Sequence, residues 1–512
     1  MNKFKLSLFA VIAAGAVGCG GGGGGGDAAG TTSYAPGEVV VDDNIQRHSF
    51  IQRDRTDKIK TLAAEEIDFD GDGLLDIAMF RTEQSYANSY VEAYINNGDR
   101  TFRFDPNVFA SVGNQFRPIM DGIQKADLNA DGRLDFVTGS DGCFGDHGGD
   151  DCLPPLMSKA DGTYEITTHP LLTKLSGGRV DLVDFNNDGD MDLLYNDNIV
   201  NGQWMDKLVF NVYENRSENG VAKFVEHADI LGNPVNTHGH FVNSVAVIDL
   251  NGDGLMDFMW GGGVWDGSTN FFANRTITPG FAYNKGNFKF QKTNDIWLGE
   301  KLETYTFYMA RVADFDSDGD MDIWQGDTGW DVWDAGYAPG APDAMLWNVN
   351  GKFFVDYGTE DTWGFNGFNH QTDIADIDND GDMDIVSSYG HTQYNNDFCT
   401  AQEGSSWTNN SFWRQLSRVM LNDGTGTFTT SQNYCDTNIT LTDEARDRLG
   451  IDPYYNRAAA TLLLADFDGD GNVDYFQGDL GFADDFIAWG NGSTIEFDNF
   501  YSFDGFTPQD VE

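Results

Sequence analysis

The sequence predicts an all-β fold: a seven-bladed β-propeller with a calcium loop between the first and second strands of each blade. Three observations predict it. An acidic string, D-x-[D/N]-x-D-G-x-x-D, occurs seven times in 512 residues, starting at Asp68, Asp127, Asp184, Asp249, Asp314, Asp376 and Asp466. Every copy sits between short apolar runs, and most copies are followed by a second pair of runs joined through an Asn/Gly turn. A supersecondary unit recurring at intervals of 57 to 90 residues is the signature of an array whose neighbours bury one another.

Taken in order, the first element of a unit is the run that enters the string, such as VAVID (245–249), MARVAD (309–314) or LLLAD (462–466). The string leaves into LDIAMF (75–80), MDLLYN (191–196), MDFMWG (256–261) or MDIWQG (321–326). Short runs rich in β-branched and aromatic residues are strand signals. The next pair appears in AYINNGDRTFRF (93–104), FAYNKGNFKFQ (281–291), LWNVNGKFFVDY (346–357) and VMLNDGTGTFTT (419–430), where Asn-Gly or a related pair supplies the positive φ of a hairpin turn. Four antiparallel strands per unit and seven units match a propeller. A linear row of calcium modules is the alternative, and it leaves two open strand edges per unit.

The string has calcium-loop spacing: oxygen ligands at positions 1, 3 and 5, a backbone carbonyl at 7 and a carboxylate at 9, with glycine at 6 for the sharp turn. The ligands are Asp68, Asp70, Asp72 and Asp76; Asp127, Asn129, Asp131 and Asp135; Asp184, Asn186, Asp188 and Asp192; Asp249, Asn251, Asp253 and Asp257. The last three loops supply Asp314, Asp316, Asp318 and Asp322; Asp376, Asp378, Asp380 and Asp384; Asp466, Asp468, Asp470 and Asp474. All donors are hard oxygens, which selects Ca2+, about seven ions in all. An EF-hand is excluded, because the flanks lack helical periodicity and none of the seven strings has glutamate at position 12.

These residues resemble a family. ADFDGDGNVDYFQGD (465–479), with the LNDGTGTF turn (421–428), is similar to the FG-GAP or VCBS repeat of bacterial surface proteins and of integrin α-subunit propellers. The resemblance covers roughly residues 45 to 500 and implies the fold; it does not imply one function, since such propellers occur in adhesins, lectins and enzymes.

The amino terminus, MNKFKLSLFAVIAAGAVGC, has a basic start, a short apolar stretch and small residues before a cysteine, the layout of a secretory signal. AVGC resembles a lipoprotein lipobox. That resemblance implies a signal peptide over 1–18, acylation of Cys19, a Gly-rich tether over 19–35 and the propeller over 36–512; an ordinary cleaved signal is the alternative. The expected location is across the inner membrane, lipid-anchored at the outer membrane or cell surface, with membrane contact only through the anchor. Four further cysteines remain: Cys143 and Cys152 lie in one glycine-rich stretch and are expected to pair. Cys399 and Cys435 fall, on the propeller reading, in the second-to-third loop of unit 6 and the connection to unit 7, on one face, and so can meet.

Formal net charge is −51. Losing Lys3 and Lys5 leaves about −53, and seven calcium ions bring it to about −39. Such a surface repels nucleic acid and anionic membrane. The acidity also suits a salty environment. A monomer is expected.

The long irregular connections fall on the face opposite the calcium loops. They carry Trp330, Trp333, Trp363, Trp407 and Trp413 among many Asn and Asp residues, a composition that suits sugar rings or a partner protein; packing of loop against loop is the competing use of these aromatics. The expected function is therefore a surface binding or adhesion module for a glycan or protein. The alternative is a polysaccharide-degrading, lyase-type enzyme using His238, His370, Tyr394 and Arg457 on that face. No spacing fixes an acid–base pair among them, and no nucleophile-elbow, zincin or phosphate-loop motif is present.

Overall fold

The computed structural model describes residues 59–83, 89–113, 123–138, 154–175, 179–200, 203–232, 235–236, 240–264, 278–304, 307–327, 342–359, 362–364, 369–389, 416–435, 459–479 and 485–503. Among these residues the strands form seven separate antiparallel sheets, each built on four strands in chain order, with a fifth short strand added in one. Blade 1 is Ile59–Ile67, Asp76–Glu83, Ser89–Asn96 and Phe102–Asp105. Blade 2 is Ile123–Ala126, Asp135–Thr138, Leu156–Ser158 and Tyr164–Ile166. Blade 3 is Val180–Val183, Asp192–Val200, Gln203–Asn215 and Phe224–His227, with a short extra pairing from Val235–Asn236. Blade 4 is His240–Ile248, Asp257–Val264, Gly280–Asn284 and Phe290–Thr293.

Blade 5 is Phe307–Ala313, Asp322–Asp327, Ala344–Asn348 and Phe353–Asp356. Blade 6 is Asn369–Ala375, Asp384–Tyr389, Leu416–Asn422 and Phe428–Cys435. Blade 7 is Ala459–Ala465, Asp474–Asp479, Phe486–Gly490 and Ile495–Ser502. The seven-bladed propeller is therefore the fold. In every blade strand 2 begins at position 9 of the acidic string, so the loop joins strands 1 and 2 as the spacing predicts.

The core lies between blades. Ala246, Met259 and Phe281 of blade 4 pack with Phe307, Ile323 and Leu346 of blade 5, all buried. Apolar burial of this kind, about 25 cal/mol per Å2, is what holds consecutive sheets face to face. The same packing closes the ring. Tyr94 and Phe102 of blade 1 meet Phe503 at 5.0 and 5.3 Å between ring centres, and the Tyr501 hydroxyl donates to the Phe102 carbonyl at 3.1 Å.

Two segments, HSFIQRD (48–54) and TIEFDNF (494–500), both suit a fourth strand for the last blade on sequence grounds. The second takes that place: Ile495–Ser502 pairs with Phe486–Gly490. HSFIQRD lies outside the described residues. Each blade is thus continuous in sequence, and among the described residues the seam between blades 7 and 1 shares no strand. Side chains hold it instead.

One device recurs at two seams. Asp343, 1% exposed, opens the approach to strand 3 of blade 5 and accepts from Asp327 N–H, Asn369 Nδ2 and the Tyr389 hydroxyl, each at 2.8 Å. Asp485 does the same between blades 7 and 1, accepting from Asp479 N–H at 2.8 Å, the Thr61 hydroxyl at 2.6 Å and the Arg81 guanidinium. In both cases the side-chain donors are a cross-strand pair, Asn369 with Tyr389 and Thr61 with Arg81, immediately before a β-bulge in strand 1.

Candidate metal centres and the opposite face

Each acidic loop is wired in the same way. The N–H of the position 6 glycine donates to the position 1 aspartate in all seven, at 2.7–3.1 Å. The position 7 N–H donates to the position 5 aspartate, at 2.9–3.1 Å. Position 4 adopts left-handed φ throughout: Gly71, Ala130, Asn187, Gly252, Ser317, Asn379 and Gly469 lie between +57° and +78°. Reading the string for its oxygen donors does not reveal this requirement, since Ala130 and Ser317 are not left-handed residues by type.

Position 9 does more than offer an oxygen. Asp76, Asp135, Asp192, Asp257, Asp322, Asp384 and Asp474 are all 0% exposed. One carboxylate oxygen accepts the N–H of position 2, at 2.7–3.1 Å. The other accepts the N–H of the last strand 3 residue, at 2.7–2.8 Å. A carboxylate has about four acceptor sites, so two remain for a cation. Burial pushes Asp76, Asp135, Asp257 and Asp384 up to about 6, and Asp192, Asp322 and Asp474 up to about 7, with neighbouring carboxylates adding to the effect. A cation at the centre of the loop reverses that cost.

The loops are also tied to one another. The Asn284 side chain of blade 4 donates to the Phe185 carbonyl of the blade 3 loop at 2.9 Å, and Asn422 of blade 6 to the Phe315 carbonyl of the blade 5 loop at 2.7 Å. Asn96 of blade 1 reaches the Phe467 carbonyl of the blade 7 loop, and the Ser217 hydroxyl of blade 3 the Leu128 carbonyl of the blade 2 loop. Three hairpin asparagines that the sequence marks as turn residues, Asn96, Asn284 and Asn422, therefore join one blade's strand 3 to the preceding blade's loop.

The residues fit a divalent cation. Carboxylate oxygens of Asp68, Asp70 and Asp76; Asp314, Asp316 and Asp322; Asp376, Asp378 and Asp384; and Asp466, Asp468 and Asp474 converge within 4.8 Å. The remaining three loops carry Asn at position 3, which contributes an amide oxygen instead. Asn129 Oδ1 and Asp378 Oδ1, both at position 3, are buried without a hydrogen-bond partner in the protein. A buried oxygen lacking a donor is costly, and a metal ion held in the loop would supply the missing partner.

On the opposite face, strand 2 passes to strand 3 and strand 4 to the next blade. Trp363, expected from sequence as a ligand-binding residue, is 3% exposed. Its ring meets Trp324 and Phe428 edge-on, each at 5.4 Å, and its Nε1 donates to the Asp356 carbonyl at 3.2 Å. It fills the seam between blades 5 and 6 and presents no face to a ligand. Trp330, Trp333, Trp407, Trp413, His238, Tyr394, Arg457, Cys19, Cys143, Cys152 and Cys399 lie outside the described residues. His370 belongs to strand 1 of blade 6 and Cys435 ends its strand 4; their side chains are outside the described set.

Residues 68–138 match the family model of the FG-GAP-like repeat. The chain carries an FG-GAP-like repeat. The match runs from position 1 of the first loop to the end of strand 2 in blade 2 and takes in the first two acidic strings. No curated protein matches the sequence. Among solved structures, the fold is similar to the Bacillus licheniformis rhamnogalacturonan lyase PL11, with 12% identity over 82% of this chain and 71% of that one and a TM-score of 0.39. It is also similar to the Synechocystis apocarotenoid oxygenase, with 8% identity, 87% and 88% coverage and a TM-score of 0.39. For the B. megaterium levansucrase the values are 10% identity, 74% and 86% coverage and a TM-score of 0.32.

Proposed function

We propose that the chain is a calcium-stabilised surface propeller that binds a glycan or a partner protein through the face opposite its calcium loops. The observation that carries the reading is the repeated carboxylate cradle, present in every blade and confined to one face. That face is committed to holding the ring together. The other receives the long connections, and loops on a rigid scaffold are the usual carriers of recognition. Calcium occupies each cradle in this reading through positions 1, 3, 5 and 9, with the position 7 carbonyl completing the set.

The anchor belongs to the same proposal: acylated Cys19 and the glycine tether hold the propeller at the membrane, and Cys19→Ser releases it to the soluble fraction. Trp330, Trp333, Trp407 and Trp413 are the proposed sugar-stacking residues. The test is a glycan panel screened with purified mature protein, with product analysis on the same samples. Binding without cleavage supports the module, and Trp407→Ala then weakens it by about 1–3 kcal/mol. Turnover that disappears in His370→Ala replaces the module with the polysaccharide-degrading enzyme.

A further inference from the structure

The seam between blades 7 and 1 holds a cation of its own. Arg100, at the tip of the blade 1 hairpin, has φ +66°. Its Nε lies 2.6 Å from Asp468 Oδ2, its Nη2 lies 3.4 Å from Asp470 Oδ2, and its guanidinium carbon is 5.1 Å from the Trp489 ring centre. Asp468 and Asp470 are positions 3 and 5 of the blade 7 loop. The Asp468 side chain is 4% exposed, and its Oδ2 accepts no aligned hydrogen bond, so the contact with Arg100 is one of charge.

The seam between blades 5 and 6 is an internal comparison. Gly426 stands four residues after Asn422 and two before Phe428, as Arg100 stands four after Asn96 and two before Phe102. It too is left-handed, at φ +75°. A Cβ added at Gly426 would meet Trp347 at 2.6 Å and the Asp316 side chain at 3.1 Å. Trp347 holds the same strand 3 position in blade 5 as Trp489 in blade 7, and Asp316 the same loop position as Asp468. The two seams share their neighbours and differ in one respect. One carries a guanidinium where the other carries no side chain.

We propose that Arg100 competes with calcium at the blade 7 loop, so that this site binds the ion more weakly than the blade 5 loop and its filling is coupled to the seam that closes the ring. This rests on the calcium reading above. A guanidinium stays charged at any working pH, and a divalent ion entering beside it meets repulsion in a partly buried site. Without metal, Arg100 neutralises Asp468 and ties blade 1 to blade 7. With metal, Asp468 faces the ion and that tie is given up. Arg103, 3.6 Å from Asp70 of the blade 1 loop, is no equivalent: the two arginines are similarly exposed, at 42% and 45%, but Asp70 is 40% exposed where Asp468 is 4%, so water screens the Arg103 contact far more.

Calcium titration calorimetry on the full mature chain tests this. Asp314→Asn removes the blade 5 site and Asp466→Asn the blade 7 site, and the heat missing from each isotherm reports the affinity of the lost site. The expected result is a blade 7 site weaker by about ten-fold or more. Arg100→Asn, which tolerates the left-handed turn, tightens that site by a similar factor and has no effect when combined with Asp466→Asn. Arg100→Lys keeps the charge and stays near wild type. Equal affinities at the two loops, or an Arg100→Lys variant that behaves like Arg100→Asn, overturn the proposal. If Arg100→Asn does not fold, the comparison of the two loop variants decides. A wild-type protein that binds no calcium fails the calcium reading itself, whereas seven equal sites leave that reading intact and reject only the role of Arg100.

Discussion

The tie between blades 3 and 4 can be measured by replacing Asn284. Its side chain is 0% exposed, donates to the Phe185 carbonyl at 2.9 Å across the seam, and accepts the Gly286 N–H at 2.9 Å within its own turn. In Asn284→Ala, the Phe185 carbonyl loses a buried donor, at about 1–3 kcal/mol, and the Gly286 N–H loses about 0.5–1 kcal/mol because water can replace its partner. The sum is roughly 2–4 kcal/mol. Asn348 is the control: its Oδ1 accepts the Gly351 N–H at 2.9 Å, but its Nδ2 donates to Met321 of the same blade at 3.1 Å, at a part-buried position. Asn348→Ala should therefore cost about 1–2 kcal/mol less than Asn284→Ala. Asn284→Asp keeps the turn acceptor and points an oxygen at the Phe185 carbonyl, so its cost should exceed that of the alanine variant, at about 3–5 kcal/mol. Equilibrium urea unfolding followed by tryptophan fluorescence, in millimolar calcium, reads all three. Equal costs at Asn284 and Asn348, or a neutral Asn284→Asp, would show that the side chain serves its turn alone and that blades are not tied through their loops.

Ala130→Gly and Ser317→Gly should each raise stability by about 1 kcal/mol in the same assay, because both residues hold left-handed φ, at +58° and +57°; a loss would contradict the strain argument. Trp363→Ala should cost about 3–5 kcal/mol of stability and leave ligand affinity unchanged in the folded fraction, opposite to the expectation for a stacking residue. Asp343 gives a pH dependence. Burial raises it to about 7, with the Asp327 charge adding and its hydrogen bonds opposing. Between pH about 4 and about 7 the folded chain keeps a proton there that the unfolded chain releases, so its contribution falls as pH rises through that window and is level above it. The difference in stability between wild type and Asp343→Asn should narrow or change in that direction between pH 5 and 8; a pH-independent difference refutes the assignment.

The periodic features were legible in the sequence. Seven strings with glycine at position 6 and carboxylates at 1, 5 and 9 located seven loops, and the runs on either side located the first two strands, because local spacing determines both. The features that depend on closure were not. Asn96 and Asn284 read as turn residues, and only the ring brings their side chains to Phe467 and Phe185, 371 and 99 residues away. Asp485 and Thr61 are 424 residues apart. The QGD pair at 325–327 and 477–479 precedes both buried aspartates, Asp343 and Asp485, and was a usable signal for that device. Trp363 reads from sequence as a ligand-facing residue yet is buried in a seam, because a tryptophan among polar residues looks the same in either role. Composition carries no direction.

The central claim is that seven calcium ions hold the propeller together from one face. Native mass spectrometry of the mature chain in millimolar calcium, paired with thermal unfolding before and after chelation, tests it most directly. The account predicts up to seven bound ions and an unfolding temperature that falls on chelation, since ligands that bind only the folded state stabilise it. Superimposable melting curves with and without chelator, in a protein that carries no calcium, would contradict it.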